Sequence, residues 1–219
     1  MSEEKFTETV ERAIDNLKTI NTISPDEFPA MDLYMDQLTT FMDSKLRSTL
    51  RSPSEDKVLT KTMINNYAKN DLLPPPVKKK YSKDHIILLI FIYYFKSVLS
   101  INDIQTLLEP LKERFQVSDP QFDLSDIYNT CFDLQKEDLD PLIEDIKKKY
   151  ERSLSTFEDN GLSEDEKKKM QMFSFIIQML YDVYVKKLLM EKILDNMMKE
   201  NEKESGKKQK SDKKNKTKE

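Results

Sequence analysis

A short segment near the middle of the chain carries residue types that recognise nucleic acid. In a helix that begins at Lys61, side chains at steps of three and four residues share one face. That face holds Lys61, Thr62, Asn65, Asn66 and Lys69, all of them polar. Asparagine amides can pair with N6 and N7 of adenine in the major groove, and lysines bind phosphates. We therefore expect Asn65 and Asn66 to read bases, with a plain solvated face as the alternative.

Three lysines follow this helix and extend the candidate DNA-binding set. They are Lys78, Lys79 and Lys80, with Tyr81 directly after them. Lysines at this position would flank a duplex, and contacts to about five phosphates would make binding steeply salt dependent. Tyr67 belongs to the same set, and its position is compatible either with a phosphate contact or with a place in the core.

Residues that could support catalysis or metal binding are scarce. The chain has one histidine, His85, and one cysteine, Cys131, which excludes a cysteine/histidine zinc site and an intramolecular disulfide. We expect His85 to cap or pack its helix and Cys131 to be an inert, half-buried side chain. The acidic residues from Glu137 to Asp145 lie beside lysines at helical spacing, as on a solvated face. The sequence therefore predicts neither an enzyme nor a bound cofactor.

The composition favours a mainly α-helical protein. Only 2 of 219 residues are glycine, and none is tryptophan. Barrels, sandwiches and Rossmann folds need more residues that accept a positive φ, and phosphate-binding loops need clustered glycines. Charged residues make up 35% of the chain and hydrophobic residues 37%, a balance that helices tolerate.

The net charge of -4 hides a basic region inside an acidic chain. Residues 57–83 contain 7 lysines and one acidic residue, Asp71, whereas residues 1–56 contain 6 basic and 12 acidic residues. Residues 84–200 contain 15 basic and 23 acidic residues, and residues 201–219 contain 8 lysines and 4 acidic residues. Lysines gathered in this way favour polyanions, although a solvated surface would look the same.

Hydrophobic periodicity and capping residues predict the helices that position these side chains. Thr60 is a candidate N-cap for the Lys61 helix, Ser82 for the next helix, and Ser163 with Glu166 forms a candidate capping box. The predicted helices are Phe6–Leu17, one containing Leu33 to Met42, Lys61 to about Asn70, Lys83 to about Val98, Ile101–Phe115, Leu124–Leu134, Asp138 to about Phe157, and Ser163 to about Lys199.

We divide the chain into four parts. Residues 1–30 form a helical arm, residues 31–116 the DNA-binding domain, residues 117–200 a helical C-terminal region, and residues 201–219 a disordered basic tail. Met172 to Val185 is apolar at all but three positions, which indicates burial against other helices or against a second subunit. We therefore expect a homodimer formed through the C-terminal helices.

The order of these elements resembles the N-terminal winged helix-turn-helix of MerR-type regulators. The matching segments are TKTMINNYAKNDLLPPP and KKKYSKDHIILLIFIYYFKSVLSINDIQTLL, within about residues 31–110. The match departs from that family at Asn65-Asn66, where Arg-Tyr is usual, at Asp71, where a turn glycine is usual, and in its shorter wing. The core TKTMINNY…LLPPP…KKKYS…H is also similar to a bacterial family of domains of unknown function, number eighteen thirty-six, over most of residues 20–160.

These observations predict a dimeric transcriptional regulator that binds double-stranded DNA sequence-specifically and needs no cofactor. A helical adaptor that binds a protein through the same winged helix is the alternative. The longest apolar run, Ile86–Phe95, is about half of what a bilayer span needs, and the first residues form no apolar leader. We therefore expect a cytoplasmic location without a membrane contact, and the residues leave open whether a small effector binds.

Overall fold

The computed structural model describes residues 3–18, 23–115, 122–158 and 161–215, and these residues are mostly helical. The elements in chain order are α1 (Glu3–Lys18), β1 (Leu33–Tyr34), α2 (Met35–Leu46), α3 (Lys61–Lys69), β2 (Lys80–Tyr81), α4 (Lys83–Phe95), α5 (Ile101–Glu113), α6 (Leu124–Leu154) and α7 (Glu164–Asn215). In the described part of the chain, no helix has the length and apolar content that crossing a membrane requires.

Helix α4 lies at the centre of the main core. Every residue from His85 to Ile92 is buried, as expected for a helix that is apolar on all sides. Helices α2, α3, α5 and α6 contribute Leu38, Ile64, Leu108 and Tyr128 to the same cluster. Each buried leucine or isoleucine stabilises the fold by about 1.5 to 3 kcal/mol, so α4 anchors the elements around it.

The two short strands join distant parts of the chain. Strand β1 pairs antiparallel with β2, with Leu33 opposite Tyr81 and Tyr34 opposite Lys80. This pairing fixes the three-lysine segment against the start of α2, which contacts both α3 and β2.

A second, smaller core lies along the C-terminal half of α6. Val10 and Ile14 of α1 pack there against Ile143 and Tyr150, together with Phe175 of α7. Helix α6 therefore takes part in both cores, since its first turns belong to the main one.

Most helix predictions are confirmed to within a few residues, but two are wrong. The two helices expected between Leu124 and Phe157 are one continuous helix, α6. The segment Gln135 to Asp138 contains good helix formers and no strong breaker, and Pro141 lies inside α6, where it removes one backbone hydrogen bond.

The expected disorder of residues 201–219 is the second error. Helix α7 continues past Lys199 to Asn215, and residues 216–219 lie outside the described part of the chain. Lysine, glutamate and glutamine have high intrinsic helix propensity, so the lack of apolar residues does not end the helix.

Candidate nucleic-acid interface

Helix α3 forms as its sequence predicts. The Thr60 hydroxyl accepts a hydrogen bond from the Met63 N–H at 3.2 Å, which caps the first turn. Ile64 is fully buried, and Met63 and Tyr67 pack half-buried against the main core. These three apolar contacts fix the rotation of the helix about its own axis.

The opposite face of α3 is open to solvent, as predicted. Its exposed residues are Lys61, Thr62, Asn65, Asn66 and Lys69. All five are polar, and the two asparagines each present an amide with donors and an acceptor. The face therefore has the chemistry for hydrogen bonds to base edges and for phosphate contacts.

The end of α3 is held by α5. Asp71 has a φ of 53°, in the left-handed region that aspartate can adopt where glycine is usual. Lys112 of α5 donates to the Asp71 carboxylate at 2.8 Å and to its carbonyl at 2.9 Å. Gln105 donates to the Asn70 carbonyl. These contacts fix the tight turn that the sequence resemblance placed here.

The lysine segment forms a two-residue turn. Val77 and Lys80 exchange backbone hydrogen bonds of 3.1 and 2.9 Å, and Lys78 and Lys79 lie between them, both exposed. Their φ angles are 49° and 64°, both positive as in a type I′ turn, where Asn-Gly is favoured. Two lysines therefore occupy left-handed backbone at the tip of an exposed turn.

The start of α2 brings this turn and the start of α3 to one side of the molecule. The Lys80 ammonium lies 5.3 Å from the centre of the Tyr34 ring, and Lys61 forms an ion pair with Asp36. Tyr34 and Asp36 are two residues apart, a span of at most about 7 Å. The two basic groups therefore belong to one surface.

Sequence reasoning missed an apolar part of this surface. Tyr34, Met31 and Val77 are 52%, 77% and 53% exposed. Their position depends on the pairing of β1 with β2, two residues each, which gives no periodic signal. The sequence offers one weak signal for this apolar surface: Met31 and Val77 are single apolar residues that lie close to proline or lysine, where the chain is expected to be at the surface.

The two tyrosines of the predicted DNA-binding set, Tyr67 and Tyr81, are buried to different extents. Tyr81 is 4% exposed, and its ring lies edge-on to His85 at 5.3 Å. This corrects its expected role, because its place in β2 turns the side chain into the core. Tyr67 is half-buried and packs against the main core, and burial raises the pKa of its hydroxyl.

His85 lies in the first turn of α4 and has the capping and packing role predicted for it. Its Nδ1 accepts a hydrogen bond from the Ser82 N–H at 3.0 Å, and its Nε2 faces the Pro75 carbonyl at 3.4 Å. This pattern fits the neutral tautomer with the proton on Nε2. Burial is the main reason that the pKa of His85 is lowered.

Other reactive groups are sparse in the described part of the chain. No group of three or more histidine, cysteine, aspartate or glutamate side chains is placed there to hold a metal ion. Cys131 is half-buried, and burial raises the pKa of its thiol, which favours the unreactive form.

Comparison with known families assigns the part of the chain that contains this surface. Residues 23–131 match the family described as Domain of unknown function (DUF1836). The chain contains a DUF1836 domain. The match runs from the residues before β1 to the first turns of α6, so the DUF1836 domain includes the whole candidate surface. The resemblance to this family is confirmed, and the resemblance to MerR-type regulators stays a prediction.

Comparisons with individual proteins add no relative. No curated protein and no solved structure matches the chain significantly. Most of α6 and all of α7 lie outside the matched residues, so the family match includes the candidate surface but not the C-terminal helices.

Proposed function

We propose that the DUF1836 domain binds double-stranded DNA in a sequence-dependent way and serves as a bacterial transcriptional regulator. In this proposal α2 and α3 are the two helices of a MerR-like winged helix-turn-helix. Helix α3 enters the major groove, and the Val77–Lys80 turn lies against the sugar-phosphate backbone of the DNA beside that groove.

The backbone of the lysine turn is the observation that carries the proposal. A left-handed conformation costs a residue with a Cβ about 1 to 2 kcal/mol, and Lys78 and Lys79 both adopt it. Strained backbone at an exposed position points to a requirement other than folding. A need for positive charge at the tip of the turn accounts for lysine where Asn-Gly would fold more readily.

The polar face of α3 supplies the other half of the interaction. Asn65 and Asn66 are exposed amides on a helix whose back is fixed by Ile64, so their orientation is set by the core. In the major groove such amides can bind adenine N6 and N7. Lys61 and Lys69, one at each end of α3, would contact phosphates and position the helix.

Selection of bound duplexes from a randomised DNA pool tests this proposal. We expect the full chain to enrich a motif with adenine in each half-site. Replacing Asn65 and Asn66 together by alanine should remove the motif, because the base-reading groups are gone. Loss of one good bidentate contact costs about 1 to 3 kcal/mol of discrimination.

The matched control is Asn102→Ala, which removes an exposed asparagine from α5. It should leave the selected motif unchanged. Failure of the unaltered chain to enrich any motif, with weak binding that disappears as salt rises, would contradict sequence-dependent binding.

A protein-binding adaptor is the second candidate, and the exposed side chains of Met31, Tyr34 and Val77 favour it. These residues add apolar surface beside the lysine turn, and Asp36 adds a negative charge there. An adaptor would lose its protein partner on Met31→Asp and would keep it after the two asparagine substitutions, whereas DNA selection responds to the asparagines.

A further inference from the structure

The first half of α7 has two opposite faces. One face packs on α6: the Gln171 side chain donates to the Leu154 carbonyl at 2.7 Å, and the Phe175 ring lies 5.4 Å from the Tyr150 ring. Asp182 continues this face and pairs with Lys149 of α6. These contacts fix α7 against the smaller core.

The opposite face is apolar, and none of the residues that the structure describes covers it. It consists of Phe173, Ile176, Ile177, Leu180, Val183 and Tyr184, which we call the α7 stripe, each between 43% and 58% exposed. At 100° per residue these six side chains fall within about one third of the helix circumference. The only charged residue between Lys169 and Lys186 is Asp182, which faces α6. The α7 stripe is therefore free of charge along its whole length.

We infer that the α7 stripe binds the α7 stripe of a second copy of the chain, with the two helices antiparallel and the two-fold axis at Leu180. This inference does not depend on DNA binding. It extends the expectation of a dimer to a defined surface, orientation and register.

The area of the surface fits a second copy. Together with the adjacent Tyr181 and Leu188, the α7 stripe exposes roughly 800 Å² if a large side chain offers about 200 Å² when fully exposed. A standard stable interface buries about 800 Å² on each partner. An uncovered patch of this size is unusual on a monomer.

The apolar residues match across the proposed axis. An antiparallel pair centred on Leu180 places residues at equal distances on either side of it opposite each other. Ile176 then lies opposite the partner's Tyr184, Ile177 opposite the partner's Val183, and Leu180 opposite the partner's Leu180. Phe173 meets the partner's Lys187, whose aliphatic stem and ammonium both suit an aromatic ring.

The charges at the two ends of the α7 stripe select the antiparallel arrangement. Lys169 lies 3.9 Å from Asp165, and Lys187 lies 3.7 Å from Glu191, all on exposed parts of α7. A parallel pair would place each of these residues beside the same residue of the partner, so that like charges would meet. The antiparallel pair instead places Glu191 beside the partner's Lys169 at both ends of the interface, which is attractive.

Sedimentation analysis of the full chain without DNA tests the surface. We expect a dimer at micromolar concentration. Leu180→Asp should raise the dissociation constant at least about 100-fold, because it places two carboxylates at the centre of the interface. The control is Leu134→Asp on α6, at a position of similar exposure, 56% against 58%, and it should remain a dimer. Both variants should keep the helical content of the unaltered chain.

Charge exchange tests the orientation. Glu191→Lys should weaken the dimer about tenfold, since it places two lysines together at each end. Adding Lys169→Glu should restore it, because the pairs regain opposite signs. In a parallel dimer each residue lies beside the same residue of the partner, so adding Lys169→Glu would not restore the affinity of the dimer. That result would overturn the antiparallel arrangement.

The inference has two further ways to fail. A chain that is monomeric at micromolar concentration, or a dimer that Leu180→Asp leaves intact, would overturn it. A monomer that sediments with vesicles of anionic lipid, and loses this property on Leu180→Asp, would assign the α7 stripe to a lipid surface instead. None of these measurements contains DNA, so their failure is distinct from failure of the proposed DNA binding.

Discussion

Lys78 and Lys79 supply positive charge at positions where their backbone conformation lowers the stability of the fold. Both have positive φ angles in the Val77–Lys80 turn. Relief of left-handed strain is worth about 1 to 2 kcal/mol for a residue with a Cβ, more than the added flexibility of glycine costs, about 0.5 to 1 kcal/mol. Lys78→Asn with Lys79→Gly should therefore raise the free energy of unfolding by about 0.5 to 1 kcal/mol, measured by urea denaturation.

The same pair of substitutions should weaken DNA binding, because two phosphate contacts are lost. A variant with arginine at both positions provides the matched control: it keeps the charge and the strain, so both stability and affinity should stay near those of the unaltered chain. A more stable Asn-Gly variant with undiminished affinity would show that the lysines do not contact DNA.

His85 makes the stability of the main core dependent on pH. Burial lowers its pKa in the folded chain, so the unfolded chain binds a proton more readily. Stability from this group is complete above the unfolded pKa, about 6.5, and falls as the pH drops below it, because protonation favours the unfolded state. Urea denaturation at about pH 7.5 and about pH 5.5 should show the lower stability at the acidic value.

The chain has a single histidine, which makes the origin of this effect testable. His85→Gln can still accept the Ser82 N–H, but it loses the edge-on ring contacts with Tyr81 and Phe115. It should therefore be less stable at both pH values, and nearly equally stable at the two because glutamine does not titrate. If His85→Gln kept the full difference between the two pH values, other groups would be responsible.

At the scale of elements, local signals predicted α3 and non-local contacts escaped prediction. The Thr60 cap and the alternation of Ile64 with Asn65 and Asn66 are local, so the exposed face of α3 followed from the sequence. The pairing of β1 with β2 joins residues 33–34 to residues 80–81. Two residues are too few to show an alternating pattern, so neither the burial of Tyr81 nor the exposure of Tyr34 was predictable.

The long helices show a second limit of sequence patterns. Hydrophobic periodicity predicts a break within α6 and disorder after Lys199, because both segments consist of polar residues. Helix propensity is high for lysine, glutamate and glutamine whether or not they bury a face, so hydrophobic periodicity underestimates helices of this composition. The same periodicity correctly indicated an apolar face in α7 but not which side of it α6 covers.

At the scale of the whole molecule, one measurement connects the DNA-binding surface with the α7 stripe. One copy of the chain offers five exposed or half-exposed lysines to a duplex, namely Lys61, Lys69, Lys78, Lys79 and Lys80. Release of about 0.9 counterion per phosphate contact predicts that log K falls with log salt concentration with a slope of about -4.5 for one copy and about -9 for a dimer.

The dimer slope is therefore expected for the full chain on a duplex with two half-sites, measured by fluorescence anisotropy over a range of salt. Leu180→Asp should halve the slope, because a monomer engages one half-site, and should leave binding to a single half-site unchanged. Leu134→Asp is again the control and should keep the full slope. A slope that Leu180→Asp does not change would mean that the two copies do not engage DNA together, even if the α7 stripe pairs them in solution.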